Sequence, residues 1–212
     1  MRNEFIIDDR IHSKEIDKLM HLPVSVTLAG GFDEELGAAF RSALAIAEQR
    51  ALTSKQGILP IIIDSYGGDV YALNACVDAI KAVDPRIKIA TICIGKAMSA
   101  GAILFTCGHN GYRYMTKNAT LMFHGVRGEV GGTVEDIKVE AAEMELLHNE
   151  MLKVASRNIG KKEKFFEDMV KKARDKDIFF RAEEAIAQGI TNKIGLPKFK
   201  IQLSYSIQFL DS

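Results

Sequence analysis

Two isoleucine-rich runs constrain the fold most. Ile58–Ile63 is continuous and apolar, Ile87–Ile94 is rich in β-branched residues and bounded by Gly95, and each then gives way to a stretch of helical spacing or small residues. Alternation is needed only where one face of a strand meets water, so such runs predict strands buried on both faces of a parallel sheet. Pro60 predicts a place near the start of its strand or at an edge. Behind the first run, Asp64-Ser65-Tyr66-Gly67-Gly68 reads as a turn. Val70, Leu73, Val77 and Ile80 then mark a helix that Asp84-Pro85 stops. Behind the second, Gly95 reads as an elbow, and Ala97, Met98, Ser99, Ala100 and Ala102 suit a tightly packed helix. Strand, helix, strand, helix in short alternation predicts an α/β domain with right-handed crossovers.

The flanking chain extends this pattern. Val24, Val26 and Leu28 alternate in a short strand. Asp33 then starts a helix whose core face is Leu36, Phe40, Ala43, Leu44 and Ala47. Tyr112–Met115 and Thr120–Phe123 read as strands split by Lys117-Asn118. Thr133 with Asp136 resembles a capping box that opens a long helix to about Asn158. Along it, Ile137, Ala141, Met144, His148, Met151 and Ala155 keep a 3.5-residue period. That seam predicts packing on a partner subunit, with His148 a tolerated seam residue. Helices follow at 161–174 and 182–188, and the tail from Ile201 alternates as a final strand.

Composition removes several functions. Lys plus Arg and Asp plus Glu number 28 each in 212 residues, so no net field draws the chain to nucleic acid or to an anionic membrane. Lys96 interrupts the apolar stretch Ile87–Cys107 and argues against a membrane span. Cys76, Cys93 and Cys107 lie in apolar surroundings without C-x-x-C spacing. They predict free thiols in a reducing, cytoplasmic compartment and no metal site. No cofactor is predicted.

Four features carry chemistry, and each has a bland counterpart. Ser99 is a lone hydroxyl among small apolar residues; unsatisfied, it would cost about 1–3 kcal/mol, and on this stretch alone a helix cap explains it best. The Gly67-Gly68 amides suit an anion or an oxyanion, although a Gly-Gly pair is more often only a turn. His124 ends a strand beside Gly125, where a histidine is usually structural. Asp177 in a polar break suits a carboxylate with one partner, or a helix cap.

Taken together these segments resemble the proteolytic subunit of the Clp protease (ClpP), a family of self-compartmentalised serine peptidases. The likeness runs over roughly residues 24–196. Thr91-Ile-Cys-Ile-Gly-Lys-Ala-Met-Ser99-Ala-Gly-Ala102 resembles the nucleophile segment, and Ser65-Tyr66-Gly67-Gly68 the serine-proline-glycine-glycine turn. Leu121-Met122-Phe123-His124 resembles the histidine strand, and Asp177 to Ala185 the aspartate segment. The resemblance implies a ClpP/crotonase-like spiral of βαβ units with a protruding handle helix. It divides the chain into an arm (1–23), a peptidase domain (24–197, handle about 133–158) and a strand-like tail (198–212). It implies catalysis by Ser99, His124 and Asp177, an oxyanion hole from the Gly68 and Ala100 amides, and substrate binding by Gly125, Val126 and Arg127. It also implies a homo-oligomeric ring of about seven, single or stacked in two, cleaving unfolded polypeptides delivered by an AAA+ unfoldase (a Clp ATPase).

Departures from the family pattern fall beside the site. Tyr66 replaces a proline, Gly125-Val126 a glutamine-proline, and Lys176 an arginine whose bidentate fork lysine cannot reproduce. The competing readings are a catalytically weak or inactive ring scaffold, a crotonase-type acyl-CoA enzyme, and a serine–lysine peptidase using Lys96. The triad residues, all present, favour the serine endopeptidase.

Overall fold

A computed structural model describes residues 24–125, 127–128, 131–174 and 176–198. The expectations for the N-terminal arm, for the tail from Ile201 and for Val126 lie outside the described residues. β1 (Val26–Phe32), β2 (Ile58–Gly68) and β3 (Lys88–Met98) form a parallel sheet, crossed over by α1 (Glu34–Thr53) and α2 (Val70–Lys81). Its order is β1-β2-β3-β4-β7, with β4 at Arg113–Met115 and β7 at Lys193–Ile194. β5 (Thr120–Phe123) pairs parallel with β3, and β6 (Ile178–Arg181) pairs antiparallel with β5. The chain is an α/β protein, as the isoleucine runs predict.

Both apolar runs are longer strands than their composition suggests. β2 continues through the expected turn: Ser65 pairs with Ala97, and Gly67 and Gly68 pair with Gly31 and Phe32. β3 continues through the expected elbow. It pairs with β4 at Thr91–Cys93, bends at Gly95 (φ 63) and pairs with β5 at Lys96–Met98. Glycine is needed there because the left-handed region penalises a Cβ. Registers also shift in β1 after Ala29 and in β2 after Ile63, so three strands change course at one level. Pro60 lies near the start of β2, one residue before the β1 ladder begins at Ile61, where its missing N–H is tolerated.

The helices follow their signals closely. Asp33 caps α1, accepting from the Leu36 amide at 2.7 Å, and Asp69 caps α2, accepting from Ala72. Ala43 faces solvent, and Gly37 and Ala51 complete the buried stripe of α1 instead. α3 (Ala100–Thr106) begins after Ser99 and is buried throughout. α4 (Val134–Asn158) opens with the reciprocal Thr133–Asp136 capping box. Its first ten residues are exposed, Val134 and Val139 among them, while Leu152, Val154 and Ala155 join the core. α5 (Phe165–Lys172) is shorter than the expected 161–174, and α6 (Ala182–Ala187) closes with Gly189 at φ 75.

Arg113 is the largest fully buried side chain among the described residues. Its guanidinium donates to the carbonyls of Ile190 (2.7 Å), Gly108 (3.0 Å), Gly189 (3.3 Å) and Asn158 (3.5 Å). Burial pushes its pKa down from the usual value. These bonds tie the ends of α4 and α6 to the loop after α3.

Candidate active site

The β3–β5–β6 ladder brings three strand ends together. Met98 pairs with Met122, and the Ser99 amide donates to the Met122 carbonyl at 2.8 Å. Phe123 pairs with Ile178, so one further step of the same antiparallel register sets His124 opposite Asp177. Residues opposite one another in such a ladder project to the same face. Phe123, stacked on Phe166 at 4.2 Å and edge-on to Phe180 at 6.1 Å, anchors the strand that carries His124.

Ser99 occupies the sharp junction of β3 and α3 at φ 52, ψ −121, and its side chain makes no helix-capping bond. The cap that explains Ser99 from its own stretch is therefore absent. A non-glycine residue in such a region costs of order 1–3 kcal/mol and needs support from its surroundings. That support is close packing: a Cβ added at Gly67 would meet the Ser99 Cβ at 2.6 Å, and one at Gly68 would meet the Phe32 carbonyl at 2.3 Å. Both positions accept only glycine. Ser65, fully buried, donates to the Gly30 carbonyl and accepts from the Gly67 amide at 3.0 Å.

A cleft of about 450 Å³ opens here, lined by Gly68, Ser99, Ala100, His124 and Arg127 with apolar walls from α2, α3 and α4. Met144, His148 and Met151 of α4 form part of that wall. The middle of the helical seam therefore faces this cleft as well as continuing toward its exposed end. The His148 ring stacks on His124, with centroids 6.2 Å apart.

Not every expected contact is made. His124 Nδ1 sits on the carbonyl oxygen of Gly125, a contact that requires the proton on Nδ1 and leaves the Nε2 lone pair open. The Asp177 carboxylate instead accepts from Arg127 Nη2 at 2.5 Å, and Asp177 does not line the cleft. Arg127 thus bridges the cleft wall to Asp177. Lys96 is engaged elsewhere, at 2.7 Å from Asp64, and is not free for the serine–lysine reading. Burial pushes the Cys76 thiol up to about 11 and the Cys93 thiol up to about 12, and neither is a thiolate nucleophile. Among the described residues no group of His, Cys, Asp and Glu could hold a metal, and no helix is long and apolar enough to cross a membrane.

A sequence model of the family described as Clp protease matches residues 10–198. The chain belongs to the Clp protease family. Among curated members, the ATP-dependent Clp protease proteolytic subunit 2 of Chlamydia trachomatis serovar D is 35% identical over 137 residues. The alignment covers 64% of this chain and 64% of that protein. The subunit of the same description from Chlamydia muridarum is 35% identical over the same length, and proteolytic subunit 1 of Chlamydia felis 34%. The chain thus spans 64% of the length of the relatives it matches.

Within this Clp protease member, sequence reasoning missed one cluster at the cleft. Asp64, Tyr66 and Lys96 meet beside the glycine pair, and the only sequence signal was the placement of unlike charges on neighbouring strands. It also missed β6 and β7, which are too short to show a period.

Proposed function

We propose that the chain is a serine endopeptidase subunit of a self-compartmentalised ring protease that cleaves unfolded polypeptides. The observation that carries this reading is Ser99: a strained junction residue with an uncapped hydroxyl, on the same cleft as His124 and Gly68. Ser99 Oγ attacks the scissile carbonyl while His124 Nε2 takes its proton. The tetrahedral oxyanion is received by the amides of Gly68 and Ala100. Ala100 is in the first turn of α3, where amides have no intrahelical acceptor. Gly67 is the poorer donor, because Ser65 already occupies its amide. His124 then protonates the departing amine, and water, deprotonated by the same imidazole, hydrolyses the acyl-enzyme. Asp177 orients and charge-stabilises the imidazole after exchanging Arg127 for His124. Gly125, Val126 and Arg127 flank the substrate strand.

The assembly follows from the same reading. The exposed half of α4 carries Val134, Ile137, Val139 and Leu146, apolar surface of the kind that a second copy covers. A homo-oligomeric ring of about seven, stacked through this handle and fed by an AAA+ unfoldase, accounts for it. The free buried thiols fit a reducing, cytoplasmic location. On this reading the chain divides into an arm (1–23), a peptidase domain (24–197) and a tail (198–212).

Fluorophosphonate labelling with Ser99→Ala as control, peptide cleavage and native mass test this directly. Labelling lost in Ser99→Ala, with cleavage and a ring mass, is the expected result. Rings that neither label nor cleave would establish the second reading, a weak or inactive scaffold subunit. The observation favouring that reading is that Asp177 is held by Arg127 rather than by His124.

A further inference from the structure

The glycine strand that faces Ser99 is gripped from outside by a cluster no part of the catalytic scheme uses. Lys96 Nζ lies 2.7 Å from Asp64 Oδ1 and 4.2 Å from the centroid of the Tyr66 ring. Asp64 and Tyr66 flank Ser65 on β2, and Lys96 stands on β3, three residues before Ser99. Gly95 makes the approach possible, since a Cβ there would sit 3.2 Å from the Asp64 carboxylate. Asp64 holds the Lys96 ammonium above its usual pKa range, so the cation persists across working pH.

The cluster has a mechanical task. Register between β2 and β3 shifts after Ile63, and beyond that point Ser65↔Ala97 is the last pair of their ladder. Tyr66 is the first residue past that pair, 71% exposed, and its ring lines the cleft. Ladder bonds therefore fix Gly67 and Gly68 on the β1 side, while on the β3 side Gly67 packs against Ser99, its amide donates to Ser65, and the Lys96 ammonium over the Tyr66 ring adds a side-chain contact beyond the last ladder pair. We propose that Lys96, held by Asp64, is a positioning residue that clamps Tyr66 and thereby sets the direction of the Gly68 amide toward the Ser99 cleft. This rests on the reading of Ser99 as nucleophile and Gly68 as oxyanion donor. It gives Tyr66 a purpose, because a ring in a cation–π contact replaces by attraction the rigidity that a proline at that position would supply covalently.

Lys96→Met removes the charge and keeps the stem. The expected result is a fall of about threefold to tenfold in Ser99 acylation rate and kcat with KM unchanged, as one exposed cation–π contact and its ion pair contribute. Amide hydrogen exchange at Gly67 and Gly68 rises by a similar factor. Lys96→Arg, which keeps both contacts, restores both readouts. Tyr66→Pro in the Lys96→Met background also restores both, since the backbone no longer depends on the clamp. Unchanged exchange and acylation in Lys96→Met would overturn the proposal, as would a loss that neither Lys96→Arg nor Tyr66→Pro repairs. A wild-type chain that never labels at Ser99, yet shows the exchange response, removes the peptidase reading and leaves the clamp standing.

Discussion

Arg113 is 1% exposed with its guanidinium on four main-chain carbonyls, whereas Arg127 has a side chain 55% exposed on one carboxylate. The first satisfies elements that must never separate, at a cost in desolvation that only many hydrogen bonds offset. The second makes one contact near water, which is weak and easily exchanged. The molecule thus keeps its rigid charge at the α4–α6 junction and a replaceable ion pair beside the cleft, where the proposed mechanism requires Asp177 to exchange Arg127 for His124.

Substitutions at Ser99 and Arg113 should separate activity from stability. Ser99→Ala is expected to lower peptide cleavage by roughly 10⁴–10⁶-fold with little change in melting temperature. Ser99→Gly loses the same activity and gains about 1 kcal/mol by relieving the positive φ; calorimetry beside a cleavage assay checks both. Arg113→Met should do the reverse. Leaving four carbonyls unpaired costs about 3 kcal/mol, a fall of roughly 10 °C in a chain of this size. If Arg113→Met melts like wild type, the arginine is not a structural anchor.

Smaller effects refine the contrast. Arg127→Gln frees Asp177 for His124 and should raise Ser99 acylation about twofold to fivefold at low salt, less at high salt. In an Asp177→Asn background the gain should vanish. Acidification tests the opening of α4. Hydrogen bonds from Thr133 depress the Asp136 pKa, so its contribution is full above the unfolded carboxylate value and is lost as pH falls through the folded one. Hydrogen exchange in the first turn of α4 should therefore rise below about pH 4, with the C-terminal half unchanged.

Much of this was legible from residues alone. Isoleucine runs, Asp33, the Thr133–Asp136 box and Gly189 mark elements because each acts over a few residues. Strand ends were not legible: β2 and β3 run through Gly67-Gly68 and Gly95 because pairing with β1 and β5, a tertiary effect, outweighs local glycine signals. Ser99 looked like a cap for the same reason. Its neighbours suit a helix start, and only the ladder fixes the φ at which its hydroxyl makes no cap. The partners of Asp177 and Lys96 depend on long side chains reaching across strands, which no spacing encodes.

Because β3 and β5 close on one another at Lys96–Met98 and Thr120–Met122, the chain from Ser99 to Ala119 leaves and rejoins the same ladder. The separation of the serine and the histidine is thus independent of how long that excursion is. Lys117-Asn118, exposed in the turn that leads back into β5, is a socket where foreign sequence can be grafted without displacing either residue. A reporter peptide or purification tag placed there would leave both chain ends free.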